Sequence, residues 1–166
     1  MNITVRHAQP ADATAVARIL NRIIDAGEYT AFDTPISIRD ERSYIQNFPT
    51  RGVFIVAEQS DQQRVVGFQS MEPFAGYTHA FDHVGVLGTY VDLDCRRQGI
   101  AKRLFAATFA AALQKGYRKL FTHIRADNPA ALSAYRSQGF MIVGTAQKHA
   151  LLSGRYIDEI IVERFL

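Results

Sequence analysis

The chain has 166 residues, the length of one ordinary domain. Its 48% hydrophobic and 21% charged residues exclude a disordered chain, and its single cysteine, Cys95, excludes an internal disulfide framework. The net charge of +3 is mild and no five like charges are adjacent, so neither nucleic acid nor a membrane surface is an expected partner.

Ile3, Val5 and His7 alternate with Thr4 and Arg6, which predicts a first strand. Ala13, Val16, Ala17, Leu20, Ile23 and Ile24 recur at three and four, so residues 10–26 are expected to form an amphipathic helix stopped by Gly27. Residues 28–36 read as a loop, and 37–48 as a second, short helix before Pro49. The β-rich runs 53–58 and 65–71 are joined by a polar turn and predict a hairpin. Residues 84–91 form another strand pattern interrupted by Gly85 and Gly88, and a glycine there suggests a bulge or a close backbone approach.

Residues 97–115 carry the strongest helical pattern, with Ile100, Leu104, Thr108 and Ala111 on one face and Gly116 as the stop. Residues 119–124 are a strand. Residues 128–138 are a helix with Asn128 as N-cap and Pro129 in its first turn, stopped by Gly139. Residues 140–144 and 156–165 are closing strands. The order β-α-α-β-β-β-α-β-α-β-β, without repeat or linker, predicts a single α/β domain over 1–166 with a mixed sheet. The longest apolar stretch, 104–113, is far shorter than the roughly 20 residues a membrane helix needs, and the N-terminus MNITVRHAQP has no apolar signal region. A cytoplasmic protein is expected.

The densest basic cluster is Arg96, Arg97, Lys102 and Arg103, at the junction of a strand and the predicted start of the 97–115 helix. Amide N–H groups in a helix's first turn are unpaired and sit at the positive end of its dipole, so this junction suits a small anion. Gly99 lets a bulky phosphate approach the backbone, and Ala101 keeps the next turn small. Neither G-x-G-x-x-G nor G-x-x-x-x-G-K-[ST] occurs, which argues against a dinucleotide fold and a P-loop ATPase.

The run Arg96-Arg97-Gln98-Gly99-Ile100-Ala101, an R-x-x-G-x-A pattern, is followed about thirty residues on by Asn128-Pro-Ala-Ala-Leu-Ser-Ala-Tyr135-Arg-Ser-Gln-Gly139-Phe140. The first resembles the coenzyme A pyrophosphate motif of the GNAT superfamily of N-acetyltransferases. The second resembles that superfamily's N-x-x-A-x-x-x-Y-x-x-x-G-F segment, and the resemblance extends over nearly the whole chain. The segment Gly154-Arg-Tyr-Ile-Asp-Glu and the loop around Ala31-Phe32-Asp33 are similar to the phosphinothricin-acetyltransferase-like branch.

The resemblance implies a GNAT-like mixed, mostly antiparallel central sheet flanked by helices. It implies acetyl-CoA as co-substrate, entering where the 84–91 strand splays from its neighbour at a bulge, for which Gly88 is the expected site. Backbone groups near Tyr90 and Val91 would pair with the pantetheine arm, one N–H facing the thioester oxygen. Arg96, Arg97, Gln98, Gly99, Ile100, Ala101 and Lys102 would hold the pyrophosphate, and Asn128 would bond the pantetheine region. Tyr135 takes the family's general-acid position, protonating the departing thiolate. Read from the residues alone, Tyr135 is also a core aromatic, three residues from Leu132 and four from Ala131.

An alkylamine is almost all ammonium at neutral pH, so a proton acceptor is needed. The branch often has a glutamate in the strand before the motif, and Val86 occupies that place here. Glu28, Asp33, Glu72, His79 and His83 remain as candidates, as does a base acting through water. Four-residue spacing of His79 and His83 would suit a metal only on a helix, and their segment reads as loop into strand, so no metal is expected. Cys95 has no nucleophile pattern around it. Tyr29, Phe32, Phe74, Tyr77 and Phe81 either wall an acceptor pocket or pack ordinarily.

The expected activity is direct acetyl transfer from acetyl-CoA to a primary amine of a small molecule such as an amino acid or its analogue. Acetylation of a protein N-terminus or lysine, and a non-catalytic acyl-CoA-binding domain, are the alternatives. The branch and the apolar C-terminus (Ile160, Ile161, Phe165, Leu166) lead to an expected homodimer.

Overall fold

The computed structural model describes residues 2–166. The strands are β1 (Ile3–His7), β2 (Val53–Gln59), β3 (Arg64–Pro73), β4 (Val84–Val91), β5 (Lys119–Arg125), β6 (Met141–Leu152) and β7 (Arg155–Phe165). The helices are α1 (Ala13–Ala26), α2 (Ile38–Gln46), α3 (Ile100–Gln114) and α4 (Pro129–Ser137). This is the expected order of elements.

All seven strands form one sheet in the order β1-β2-β3-β4-β5-β7-β6, and every neighbouring pair is antiparallel except β4 and β5. The run Val53–Ala57 in β2 is buried on both faces, which is why it reads as continuous apolar sequence. Val53, Ile55 and Ala57 join the core under α3 and α4, while Phe54 and Val56 join the one under α1 and α2. Buried Ile100, Leu104 and Phe105 anchor α3, each contributing about 1.5–3 kcal/mol. Gly27, left-handed at φ 72°, ends α1 as expected.

Two elements depart from the sequence reading. The 97–115 helix begins at Ile100, because Arg97 and Gly99 are both left-handed (φ 60° and 76°) and cannot belong to it. The last two strands form a long hairpin, since β6 runs to Leu152 and not to Gly144.

The expected bulge at Gly88 is also corrected. Residues 85–91 of β4 pair one to one with 73–67 of β3, without a register shift. The parting lies on the other side of β4. Only Val84, Gly85 and Val86 pair with β5, opposite Lys119, Leu120 and Phe121, and beyond them the two parallel strands separate. At the last paired stretch a Cβ on Gly85 would stand 2.3 Å from Met71 Sδ and 2.9 Å from Leu120, so glycine there allows close packing. A Cβ on Gly88 would meet the Tyr90 ring at 3.0 Å.

Candidate active site

Strand alternation decides which groups of β4 are free at the parting. The Asp92 amide donates to Val66 O across β3, whereas Leu87 O accepts from Thr122 Oγ1 on β5. Even-numbered residues therefore turn their backbone groups to β3 and odd-numbered ones to the gap. The free amides belong to Thr89 and Val91. Tyr90 presents its ring and not its backbone, which corrects part of the expectation for that residue.

After β4, Asp92 starts a short turn through Cys95, and its buried carboxylate receives Arg18 (2.9 Å), Arg22 (2.7 Å) and Arg64 (2.8 Å). These arginines tie the turn to α1 and β3. The left-handed pair Arg97 and Gly99 then bends the chain into α3. The first backbone bond of that helix runs from the Arg103 amide to Gly99 O, so the amides of Ile100, Ala101 and Lys102 are unpaired. A Cβ on Gly99 would meet nothing within 4 Å, so the space over this turn is open.

A cleft of about 330 Å³ lies here, walled by Tyr90, Val91, Arg96, Arg97, Gly99, Ile100, Ala101, Lys102, Asn128 and Tyr135. The structure thus brings together every expected cofactor residue but Gln98, which is exposed and outside the wall. Arg103 turns away and donates to Ile3 O. Arg96 lies 3.9 Å above the Tyr29 ring. Open backbone, free amides and three cations suit a pyrophosphate.

Asn128 caps α4, accepting from the Ala131 amide at 3.1 Å, and donates to Tyr29 O at 3.3 Å. Its second amide hydrogen is left for a ligand. Arg125, almost fully buried, forks onto Asp127 at 2.8 Å and donates to Gly27 O and Thr30 O. Both residues pin the loop after α1 over the gap.

A second cavity of about 260 Å³ adjoins the first. The two share Tyr29, Thr89, Tyr90, Asn128, Ala131 and Tyr135. The second adds Phe32, His123, Arg125 and Glu159, among others. Of the sequence-predicted aromatics, Tyr29 and Phe32 wall this site. Phe74 and Phe81 instead pack against each other and Phe74 against Phe121, while Tyr77 is exposed. None of Glu28, Asp33, Glu72, His79 and His83 lines either cavity. His79 begins a short 3-10 turn and bonds Asp82 at 2.9 Å.

Tyr135 stands where the cavities meet. It is 6% exposed, edge-on to Phe105 and Phe140 at 5.0 Å each. Burial raises its pKa above that of a free phenol, so it stays protonated. Burial also pushes Tyr90 up to about 12. Tyr135 Oη lies 2.8 Å from Thr89 Oγ1, which accepts from Gln69 Nε2 at 2.7 Å. Gln69 occupies one lone pair of the Thr89 oxygen, and the Thr89 and Tyr135 hydroxyls share the next bond, in which either can be the donor; when Thr89 donates, the phenol's own proton is free to face the cleft. Thr89, Gln69 and Glu159 are absent from the sequence reading. Only Glu159 left a trace in it, as the last residue of the segment 154–159. Cys95 also lines the first cleft, but burial, then nearby Asp92, raises its pKa, so the thiol is protonated.

A parallel pair that splays into a V, an anion cradle on one side and a phenol at the junction define an acyl-transfer site. The family comparison agrees. The chain belongs to the acetyltransferase (GNAT) family, whose sequence profile matches residues 21–140. It is an acetyltransferase, and acetyl-CoA is that family's co-substrate. YwnH of Bacillus subtilis (strain 168), named as a candidate phosphinothricin acetyltransferase, is 27% identical over 99% of both chains. The L-amino acid N-acyltransferase MnaT of Escherichia coli (strain K12) is 25% identical over 94% of this chain and 90% of its own. The crystal structure of a ribosomal-protein-alanine N-acetyltransferase from Brucella melitensis superposes with a TM-score of 0.90 at 28% identity, covering 98% of this chain and 99% of that one. No helix among the described residues is long and apolar enough to cross a membrane.

Proposed function

We propose that the enzyme transfers the acetyl group of acetyl-CoA to the primary amine of a small molecule, an amino acid or amino-acid analogue, by direct attack in one ternary complex. The observation that carries this reading is the meeting of two cavities at Tyr135, one cationic and open-backboned, the other walled by Phe32, Glu159 and His123. The names of YwnH and MnaT support a small acceptor. The protonated, buried Cys95 supports direct attack, because an acetyl-cysteine intermediate would need a thiolate.

In this reading Arg96, Arg97, Lys102 and the amides of residues 100–102 hold the pyrophosphate, with Gln98 contributing only its place in the turn. Val91, Thr89 and Asn128 bond the pantetheine arm. The thioester lies at the parting of β4 and β5, where a free amide polarises its oxygen. Tyr135 delivers a proton to the departing sulfur. The lone thiol suits the reducing cytoplasm. The chain forms a homodimer through the apolar outer edge of β6.

The test is release of free thiol from acetyl-CoA across amino acids, amino-acid analogues, polyamines and peptides. Saturable release with an amino acid or analogue is expected. Release with peptides alone would move the assignment to protein acetylation. Acetyl-CoA binding without release from any amine would move it to a non-catalytic domain.

A further inference from the structure

We propose that Glu159 is the proton-accepting carboxylate of this reaction, replacing a group that Val86 cannot supply. This rests on the acetyl-transfer reading above and names the group that makes the amine nucleophilic. Chemistry requires one: an alkylammonium has no lone pair, and its nitrogen loses two protons in becoming an amide.

Glu159 is the single carboxylate among the residues that wall either cavity. Its placement follows from the sheet. In β5 and β7, Arg125 pairs with Glu159 and His123 with Ile161, so these side chains share one face. The alternate residues Leu120, Ile124 and Val162 point to the other face, into the core beneath α3 and α4. Glu159 therefore stands on the acceptor side of the gap, across from the β4 face that holds Val86, Gly88 and Tyr90.

Its side chain is 12% exposed, and no lysine or arginine among the described residues forms an ion pair with it, although its charge is felt at longer range by Arg125, its cross-strand partner. Arg125, the nearest candidate, is already committed to Asp127, Gly27 O and Thr30 O. The neighbour that does approach is His149, whose Nε2 lies 3.8 Å from a Glu159 oxygen. His149 stacks on His123 at 5.6 Å and is half exposed, which gives a proton a way out to water. Glu72 pairs directly with Val86, but its carboxylate accepts the Tyr44 hydroxyl and lies outside both cavity walls.

Glu159 takes the first proton from the ammonium and passes it to solvent. The N–C bond forms as the carbonyl π pair moves to oxygen. The nitrogen loses its second proton, the oxygen pair returns and the C–S bond breaks. Tyr135 protonates the thiolate and is restored by that second proton. The products are the amide, free thiol and one proton in solution.

The experiment compares two acceptors, an alkylamine that is ammonium at neutral pH and a weakly basic amine that is already uncharged. Glu159→Gln should lower kcat/KM for the alkylamine by about 10²-fold or more. The weak amine should keep its rate within about fivefold, which also certifies the fold, and acetyl-CoA affinity by calorimetry should be unchanged. Glu72→Gln should leave both acceptors near wild type. Equal losses for the two amines in Glu159→Gln, or no loss for either, would overturn the assignment and leave acetyl transfer standing. An alkylamine-selective loss in Glu72→Gln with a normal Glu159→Gln would overturn it as well. A wild-type enzyme inert with every amine would instead remove the parent reading, and this one with it.

Discussion

Tyr135 illustrates how much one hydroxyl depends on its neighbours. The Gln69 amide donates to Thr89, Thr89 and Tyr135 share a hydroxyl–hydroxyl bond, and the phenol has a proton to give when Thr89 is the donor in it. Tyr135→Phe keeps the ring against Phe105 and Phe140 and removes only that donor. General acid catalysis contributes about 10²–10⁴-fold. A thiol of pKa about 8.5 is already a fair leaving group, so a loss of about 10²-fold or less in kcat is expected, with acetyl-CoA affinity little changed. A core aromatic without a chemical role would leave turnover within about twofold. Steady-state rates, taken where chemistry limits turnover, distinguish the two.

The residues legible in the sequence were those whose chemistry is local. Arg96 to Lys102 are contiguous, and one turn of backbone brings all of them but Gln98 to one cleft. Asn128 and Tyr135 share a single helix. Thr89, Gln69 and Glu159 act through sheet pairing: Gln69 reaches Thr89 across β3 and β4, and Glu159 reaches the cavity because β7 inserts between β5 and β6. No local spacing encodes such contacts. For the same reason Glu28, Asp33, Glu72, His79 and His83, candidates by sequence, line neither cavity.

At the scale of elements, the turn between β4 and α3 is the most constrained piece of chain. The basic, apolar-periodic run predicts a helix from Arg97, but two left-handed residues delay it to Ile100. The sequence pattern of β6 stops at Gly144 because its register against β7 shifts twice, at Ile142/Gly144 and Ala146/Ala150, and Lys148 is left-handed. Those shifts break the alternation on which a strand is recognised. Gly99→Glu tests the turn directly. Its Cβ meets open space, so the fold should survive, at a cost of about 1–2 kcal/mol for a side chain at positive φ. The added carboxylate would stand in the anion cradle, and calorimetry should show acetyl-CoA binding abolished. Unchanged affinity in the folded variant would refute the placement of the pyrophosphate.

The same turn sets an acid limit on stability. Burial raises the Asp92 pKa, but the hydrogen bonds of Arg18, the Asp94 amide and Arg64 outweigh it and hold the carboxyl below its usual range. A depressed folded pKa contributes stability that is complete above the unfolded value of about 4 and is lost as pH falls through the folded one. The melting temperature should therefore drop below about pH 4, and Asp92→Asn should flatten that drop by removing the titrating group. At neutral pH the same variant should lose stability, toward the lower end of about 3–5 kcal/mol because the three arginines are two-fifths exposed. An acid limb identical in wild type and variant would show that other carboxylates govern it.

Across the whole molecule, the sheet has two outer strands, and they differ. β1 is short, whereas β6 is 12 residues long, about 40 Å of unpaired edge. Along it Met141, Ile142, Val143 and Leu151 are each 50–58% exposed, and Tyr156 and Phe165 of β7 are more than 60% exposed. Natural edges of this length carry charges or are covered, because free N–H and C=O groups beside apolar side chains recruit another strand. The sequence points to the same end of the chain through Ile160, Ile161, Phe165 and Leu166; β5 and β6 flank the two isoleucines and leave them half-buried, as Leu166 is, while Phe165 is exposed. The proposed dimer covers the β6 edge with its own copy, as a two-fold interface requires. A stable one buries about 800 Å² on each chain. Sedimentation at micromolar concentration should give the mass of two chains. Val143→Glu adds a charge at a surface position of the single chain, so its fold should change by no more than about 0.5 kcal/mol. Across a symmetric interface the same change places two unpaired carboxylates, and the variant should sediment as one chain. A wild type that sediments as a monomer, or a Val143→Glu protein that stays dimeric, would move the covering partner away from this edge.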